Sequence, residues 1–532
     1  MRKYMRFVTG LYDYFDHRLE PLAALQQAYS LLRERLERRE QNFLNLIKKG
    51  IFSYEKSPYL LLLERAKISY QDICRWVNQG GVEAALQQLL EGGVYFTVDE
   101  FKGKTEVKRN GLRFRCSEPM FDNPFLSSAY EVRSGATRSA GTRIRIDFEY
   151  LRQRSLYDAF LLNVHDALQS PIANWFPIFP GAPGINSSLR FTRIGNPPRR
   201  WFSQVEKSQV KVNWEKTWGT NLIFWVARIK GVFLARPEYV NLNNALKVAL
   251  WANQMLSYNE NCVIYTFATS AVRVCMAAAE NNISIRGVRF LVTGETLTAQ
   301  KKKEIEGVGA VAVPVYGISE AGVIAAGCNR VHANQQSDHC HIYQDTTAII
   351  SHRYMVSHYD TVVDSLLFTS LLYESPKLLL NVGMGDYGKL STEESDCPFG
   401  RIGFNTLVGS IRSYEKLTGE GVTFVDTDFF RIIEKELPEK FGGTSTDYQL
   451  IQEEDSKGLN RLRLLISPRL GRLDEDLVVS HFIRLLKNSE SSPESWAQSG
   501  TVMWDQARMV RVRREYPRTT PSGKILPFHL EK

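Results

Sequence analysis

The chain has 532 residues, of which 67 are basic and 58 acidic, giving a net charge of +9, with 43% hydrophobic and 23% charged side chains. That length exceeds what one core accommodates, so two or more domains are expected, and the composition is that of an ordinary globular protein. The basic balance suits a polyanionic ligand such as ATP or coenzyme A, but its density is too modest to make nucleic acid the expected partner. No run approaches the about 18–20 apolar residues of a membrane span, so no membrane association is expected. Residues 1–6 have no apolar stretch behind them, and seven cysteines without framework spacing point to a reducing, cytoplasmic setting.

Along the chain, Leu22, Leu25, Leu32, Leu36, Phe43 and Ile47 recur at helical spacing, which predicts one amphipathic helix over 21–51. A second helix is expected over 81–90. Ser134-Gly135-Ala136-Thr137, flanked by Arg133 and Arg138, reads as a small hydroxyl-rich loop. Such a loop lets backbone N–H groups approach a phosphate chain, although it lacks the Gly-Lys-Ser/Thr end of a Walker A motif; a plain surface loop is the competing reading. The aromatic, Pro/Gly-rich stretch 174–186 is either a packed loop or part of a substrate pocket.

Residues 262–316 alternate between periods of two and of 3.6: strands over 262–267, 288–292 and 311–316, with helices over 270–281 and 298–306 between them. This implies βαβ crossovers and a parallel sheet, whose ligands bind at the carboxyl ends of the strands. Gly294 and Glu295 fall at one such end and Tyr316-Gly317-Ile318-Ser319-Glu320 at the next. Tyr316 offers a ring for an adenine, and Glu320 an oxygen ligand for Mg²⁺. The same stretch nearly spells a Gly-x-Ser-x-Gly nucleophile elbow, but its second glycine, Gly322, is displaced by one position and no late His is placed to serve it. Asp386, between Gly385 and Gly388, offers a carboxylate to ribose hydroxyls at a strand end, or closes a plain turn.

From residue 409 the texture changes: helices over 427–437 and 473–486 and strands over 446–451, 462–466 and 507–514 suggest a separate small α+β unit. It ends in Pro521-Ser522-Gly523-Lys524, a single cation on a Gly turn. The expected fold class is therefore α/β: a large core over 1–408 with a helical segment to about 95, and a C-terminal lid over 409–532.

Further segments join these in order: Ser57-Pro58-Tyr59, Gly294-Glu295-Thr296-Leu297-Thr298, Leu367-Phe368-Thr369-Ser370-Leu371 followed by Gly385-Asp386, and Cys397-Pro398-Phe399-Gly400-Arg401. Together they resemble the adenylate-forming superfamily of acyl-CoA ligases, adenylation domains and luciferases. The phenylacetate–CoA ligase branch is the nearest, in a divergent form similar to enzymes of antibiotic pathways. The resemblance implies an enzyme that converts a carboxylic acid, aromatic or hydrophobic, into an acyl-adenylate, with ATP and Mg²⁺. The acyl group would pass to CoA, a carrier protein or another nucleophile. By the same resemblance Ser134, Gly135 and Thr137 hold phosphates, Gly294, Glu295, Gly317 and Ser319 line the nucleotide site, and Tyr316 stacks on adenine. Asp386 and Arg412 reach the ribose, Glu320 binds Mg²⁺, and Lys524 contacts the carboxylate and the α-phosphate. The family's hinge segment is altered here, leaving Glu415 or Lys416 as the pivot; a member that binds without turnover is the alternative. Relatives also carry a structural zinc, for which Cys328, Cys340, His341 and Cys397 are the candidates, with His339 in reserve; unliganded core cysteines are the other reading.

Overall fold

A computed structural model describes residues 2–126, 130–133, 143–178, 183–206, 208, 214–330, 337–356, 361–413, 416–419, 422–425, 431–487, 501–518 and 528–530. Helices dominate the first hundred residues. The helix expected over 21–51 is broken at Arg38 into Pro21–Glu37 and Arg39–Ile47, then widens into a π-turn over Lys48–Phe52. Tyr70–Glu91 runs longer than expected, with Gly81 at φ 78° kinking it.

Two hairpins follow: β1 (Val107–Arg109) with β2 (Leu112–Phe114), and β3 (Tyr130–Arg133) with β4 (Arg143–Ile146). The main sheet then begins with parallel strands β5 (Ile172–Trp175), β6 (Arg200–Ser203), β7 (Pro237–Tyr239), β8 (Cys262–Phe267), β9 (Val288–Thr293) and β10 (Val311–Ile318). It continues antiparallel through β11 (Gly322–Ala326), β12 (Cys340–Ile342), β13 (Thr347–Val356), β14 (Thr361–Ser370), β15 (Val382–Thr392) and β16 (Thr406–Ser413). The order across the 12 strands is β13-β14-β15-β16-β12-β11-β10-β9-β8-β5-β6-β7.

The parallel half matches the sequence expectation closely. β8 reads Cys-Val-Ile-Tyr-Thr-Phe and is buried at every position, as a strand covered by helices on both faces must be. The following helix, Ala268–Glu280, turns Ala271, Val274, Cys275 and Ala278 onto it. Phe176 meets Tyr265 and Phe267 edge-on at 5.0 Å each, and Trp175 beside it is fully buried. Each such aromatic pair contributes about 0.5–1.5 kcal/mol beyond its area. The segment 174–186 thus begins as packed core; residues 179–182 lie outside the described part.

The fold is α/β, with a smaller α+β region at the C-terminus. β16 carries the main sheet to Ser413, past residue 409, and a small hairpin, β17 (Lys416–Gly419) with β18 (Val422–Val425), follows. The C-terminal sheet comprises β19 (Tyr448–Glu454), β20 (Asn460–Ile466), β21 (Val510–Arg513) and β22 (Phe528–Leu530) in the order β21-β20-β19-β22. The helix Glu475–Lys487 covers it through Val478, Phe482 and Leu486. Its apolar residues, Leu450 and Trp504 among them, are continuous with the core around β8 to β10. Lys301, at the start of the helix Ala299–Gly307 and 1% exposed, donates to Asn460 Oδ1 at 2.9 Å and to Thr296 O at 3.3 Å. Thr298 Oγ1 donates to Glu454 at 2.6 Å beside it. Among the described residues no helix is long and apolar enough to cross a membrane.

Candidate active site

Where β9 ends, Gly294 takes φ 76°, and a Cβ there would lie 3.0 Å from the Phe267 ring. The next residue, Glu295, points its carboxylate at the first turn of the helix after β8 and accepts from Thr269 N–H at 3.0 Å and from Thr269 Oγ1 at 2.8 Å. Gly294 and Glu295 therefore tie the carboxyl ends of β8 and β9 together. Thr296 Oγ1 then donates to Ile411 O at 2.9 Å, joining this corner to β16.

One strand over, β10 carries a register shift between Tyr316 and Gly317. The Tyr316 hydroxyl donates to Asp386 Oδ2 at 2.9 Å, and burial together with that carboxylate raises the phenol well above its ordinary range. Asp386 does not sit at a strand end as expected; it lies within β15, opposite Ser413, whose Oγ donates to Gly385 O at 3.0 Å. Arg412 is half-exposed next to it, with Nη1 3.2 Å from Asp338. Asp338 also accepts from Ser410 N–H and Ile411 N–H at 2.9 Å each, which stabilises Ser410 at φ 52°. Tyr316 and Asp386 thus meet from two strands, whereas Arg412 stands opposite Tyr387 in the register and is held by Asp338.

Gly317 and Ser319 are exposed, and a Cβ on Gly317 would lie 2.8 Å from Gly322 O, so the tight β10–β11 turn requires glycine. Glu320 in that turn is buried, its Oε1 3.1 Å from Lys102 Nζ. The carboxylate expected to take Mg²⁺ is thus engaged by an ammonium that sequence reasoning missed, because the pair is separated by 218 positions.

Ser134, Gly135, Thr137, Glu415 and Lys524 lie outside the described residues. The frame around 134–142 is visible: Arg133 pairs with Arg143 across β3 and β4. Arg143 Nη2 donates to Asp122 at 2.6 Å, and Asp122 also accepts at 2.5 Å from Lys377, which is fully buried and pairs with Glu118 as well.

On the far face of the antiparallel strands, Cys328, His341 and Cys397 bring their ligand atoms within 4.8 Å of one another. His341 Nδ1 donates to Phe404 O at 2.7 Å, leaving Nε2 aimed at Cys397 Sγ, 3.4 Å away, and its ring stacks on Phe399 at 4.8 Å. Cys397 caps the short helix Pro398–Ile402, accepting from Gly400 N–H at 3.4 Å. Hydrogen bonding from Cys328, helped by His341 and that N–H, lowers the Cys397 thiol below its ordinary range against the cost of burial. Two cysteine sulfurs and an imidazole nitrogen this close together are a donor set of zinc chemistry. Cys340 is not part of it. It precedes His341 on a strand, so its side chain faces the opposite side of the sheet, where Sγ lies 3.6 Å from Pro314 O and burial pushes the thiol up.

No known protein family matches the sequence, and no curated protein does. Among solved structures, 2-hydroxyisobutyryl-CoA ligase in complex with 2-HIB-AMP and CoA is similar at 12% identity and a TM-score of 0.45, over 95% of this chain and 90% of that one. Amide bond synthetase McbA from Marinactinospora thermotolerans is similar at 12% identity and a TM-score of 0.37, over 84% and 78%. Anthranilate CoA ligase AuaEII in complex with anthranoyl-AMP is similar at 11% identity and a TM-score of 0.30, over 74% and 65%. At such scores the likeness carries no weight for the chemistry, which rests on the residues themselves.

Proposed function

We propose that the chain activates a carboxylic acid with ATP and releases pyrophosphate. What supports this most is the hydrogen-bonded pair of Tyr316 and Asp386 beside the carboxyl end of β10, where open α/β sheets take ligands. Tyr316 supplies an aromatic face for adenine, and Asp386 and Arg412 supply polar groups for the ribose. Ser134, Gly135 and Thr137, on the segment framed by β3 and β4, bind the phosphates. A substrate carboxylate oxygen attacks the α-phosphorus, the α–β anhydride bond breaks, and pyrophosphate carries the electron pair away. Lys524 neutralises the charge growing between carboxylate and α-phosphate, and catalysis is positioning plus electrostatics. The unit after β16 acts as the lid that delivers it. The acyl-adenylate then passes its acyl group to CoA, a carrier-protein thiol or another nucleophile; an aromatic or hydrophobic acid is the proposed substrate.

A structural zinc held by Cys328, His341 and Cys397 belongs to the same reading. Phe404 O fixes the imidazole tautomer from behind, as metal-bound histidines require. The engagement of Glu320 by Lys102 favours one alternative, a member that binds an acyl-adenylate without forming it. Pyrophosphate–ATP exchange over a panel of acids separates the two. Exchange is expected with at least one acid and lost in Lys524→Ala while ATP binding persists. Exchange that survives Lys524→Ala would overturn the assignment of that lysine, and ATP binding without exchange for any acid would favour the alternative.

A further inference from the structure

Lys102 is placed by a rigid local frame. It closes the short helix Val98–Phe101, whose start is a capping box: Glu100 N–H donates to Thr97 Oγ1, and Thr97 N–H donates to the Glu100 carboxylate at 2.9 Å. That carboxylate is gripped by both terminal nitrogens of Arg109, at 2.8 and 2.9 Å. Gly103 follows at φ 74°, its would-be Cβ 2.7 Å from Cys116 O. From there the Lys102 ammonium lies 4.9 Å from the centre of the Phe101 ring and 3.1 Å from Glu320 Oε1. The two side chains keep 6% and 7% of their exposure.

Mg²⁺ requires a near-octahedral shell of oxygens. Among the described residues no group of three acidic, His or Cys ligands includes Glu320. A dication on this carboxylate would face an ammonium in a poorly screened setting. Displacing the ammonium would break a buried ion pair, which is costly. A carboxylate so held is already neutralised.

We propose that Lys102 is the resident cation of Glu320, so that a divalent ion reaches the site on the nucleotide's own phosphates and is not held by this carboxylate. The second clause rests on the nucleotide site proposed above; the first stands without it. Mn²⁺ serves as the probe, its free concentration read by electron paramagnetic resonance in titrations of the full chain without nucleotide. Wild type and Glu320→Gln are expected to bind Mn²⁺ alike. Lys102→Met is expected to gain one site at least tenfold tighter, which is lost in the double variant. The thiol cluster is common to all four proteins and cancels. Lower Mn²⁺ binding by Glu320→Gln than by wild type would overturn the proposal, as would a folded Lys102→Met with no gained site. Where Lys102→Met fails to fold, Lys102→Gln takes its place, and the wild-type comparison with Glu320→Gln decides independently. Because no nucleotide is present, failure here leaves the pyrophosphate-exchange result standing, and the reverse holds too.

Discussion

Lys301 joins the C-terminal sheet to the body, and replacing it with Met tests how firmly. Its hydrogen bond to Asn460 has a charged donor and contributes roughly 1.5–3 kcal/mol. The contact with partly exposed Glu454, at 3.6 Å, is a weak ion pair, adding at most about 1 kcal/mol. Met fills similar space and removes the burial cost of the ammonium, which offsets part of the loss. A net weakening of about 2 kcal/mol is expected, or roughly a thirtyfold rise in the opening equilibrium. Hydrogen exchange followed by mass spectrometry reads this directly, in peptides spanning 296–307 and 454–462. Both peptides should exchange faster together, with the β8–β9 region unchanged. A rise confined to 296–307 would show that Lys301 supports only its own helix, and no rise in either would refute its bridging role.

Metal analysis of the purified protein should find one zinc per chain, absent from Cys397→Ser and Cys328→Ser but retained by Cys340→Ser. Tyr316→Phe keeps the ring and removes the hydroxyl that orients Asp386; the KM for ATP in pyrophosphate exchange should rise about tenfold for one charged hydrogen bond, with a smaller change in kcat. His165 is buried against Gly327 O, and burial lowers its pKa to about 4. The unfolded chain therefore binds a proton between about pH 6.5 and 4 that the folded one does not, so stability is full above that window and falls as pH drops through it. His165→Leu should flatten this acid limb in thermal melts recorded from pH 7 to 4; an unaltered limb would refute the assignment.

The parallel half of the sheet was legible because β8 to β10 and their helices change period sharply from two to 3.6. The long antiparallel strands β13 and β14 were not read, since polar residues such as Ser351, Arg353 and Asp364 interrupt their apolar pattern. Tyr316 and Asp386 were named from sequence, but their hydrogen bond was not, nor was the burial of Glu320 against Lys102: pairs 70 and 218 positions apart leave no local trace. The misplacement of Cys340 was avoidable. Adjacent residues on a strand face opposite sides, so Cys340 and His341 could not both reach one ion.

The hairpin of β3 and β4 has a practical consequence. Arg133 and Arg143 oppose each other as the last described pair of the hairpin. Asp122 and Lys377 moor Arg143, and with it β4, to the interior. The mooring of Arg143 through Asp122 to the buried Lys377 therefore tolerates substitution on the solvent side of the hairpin better than at Asp122 or Lys377 themselves.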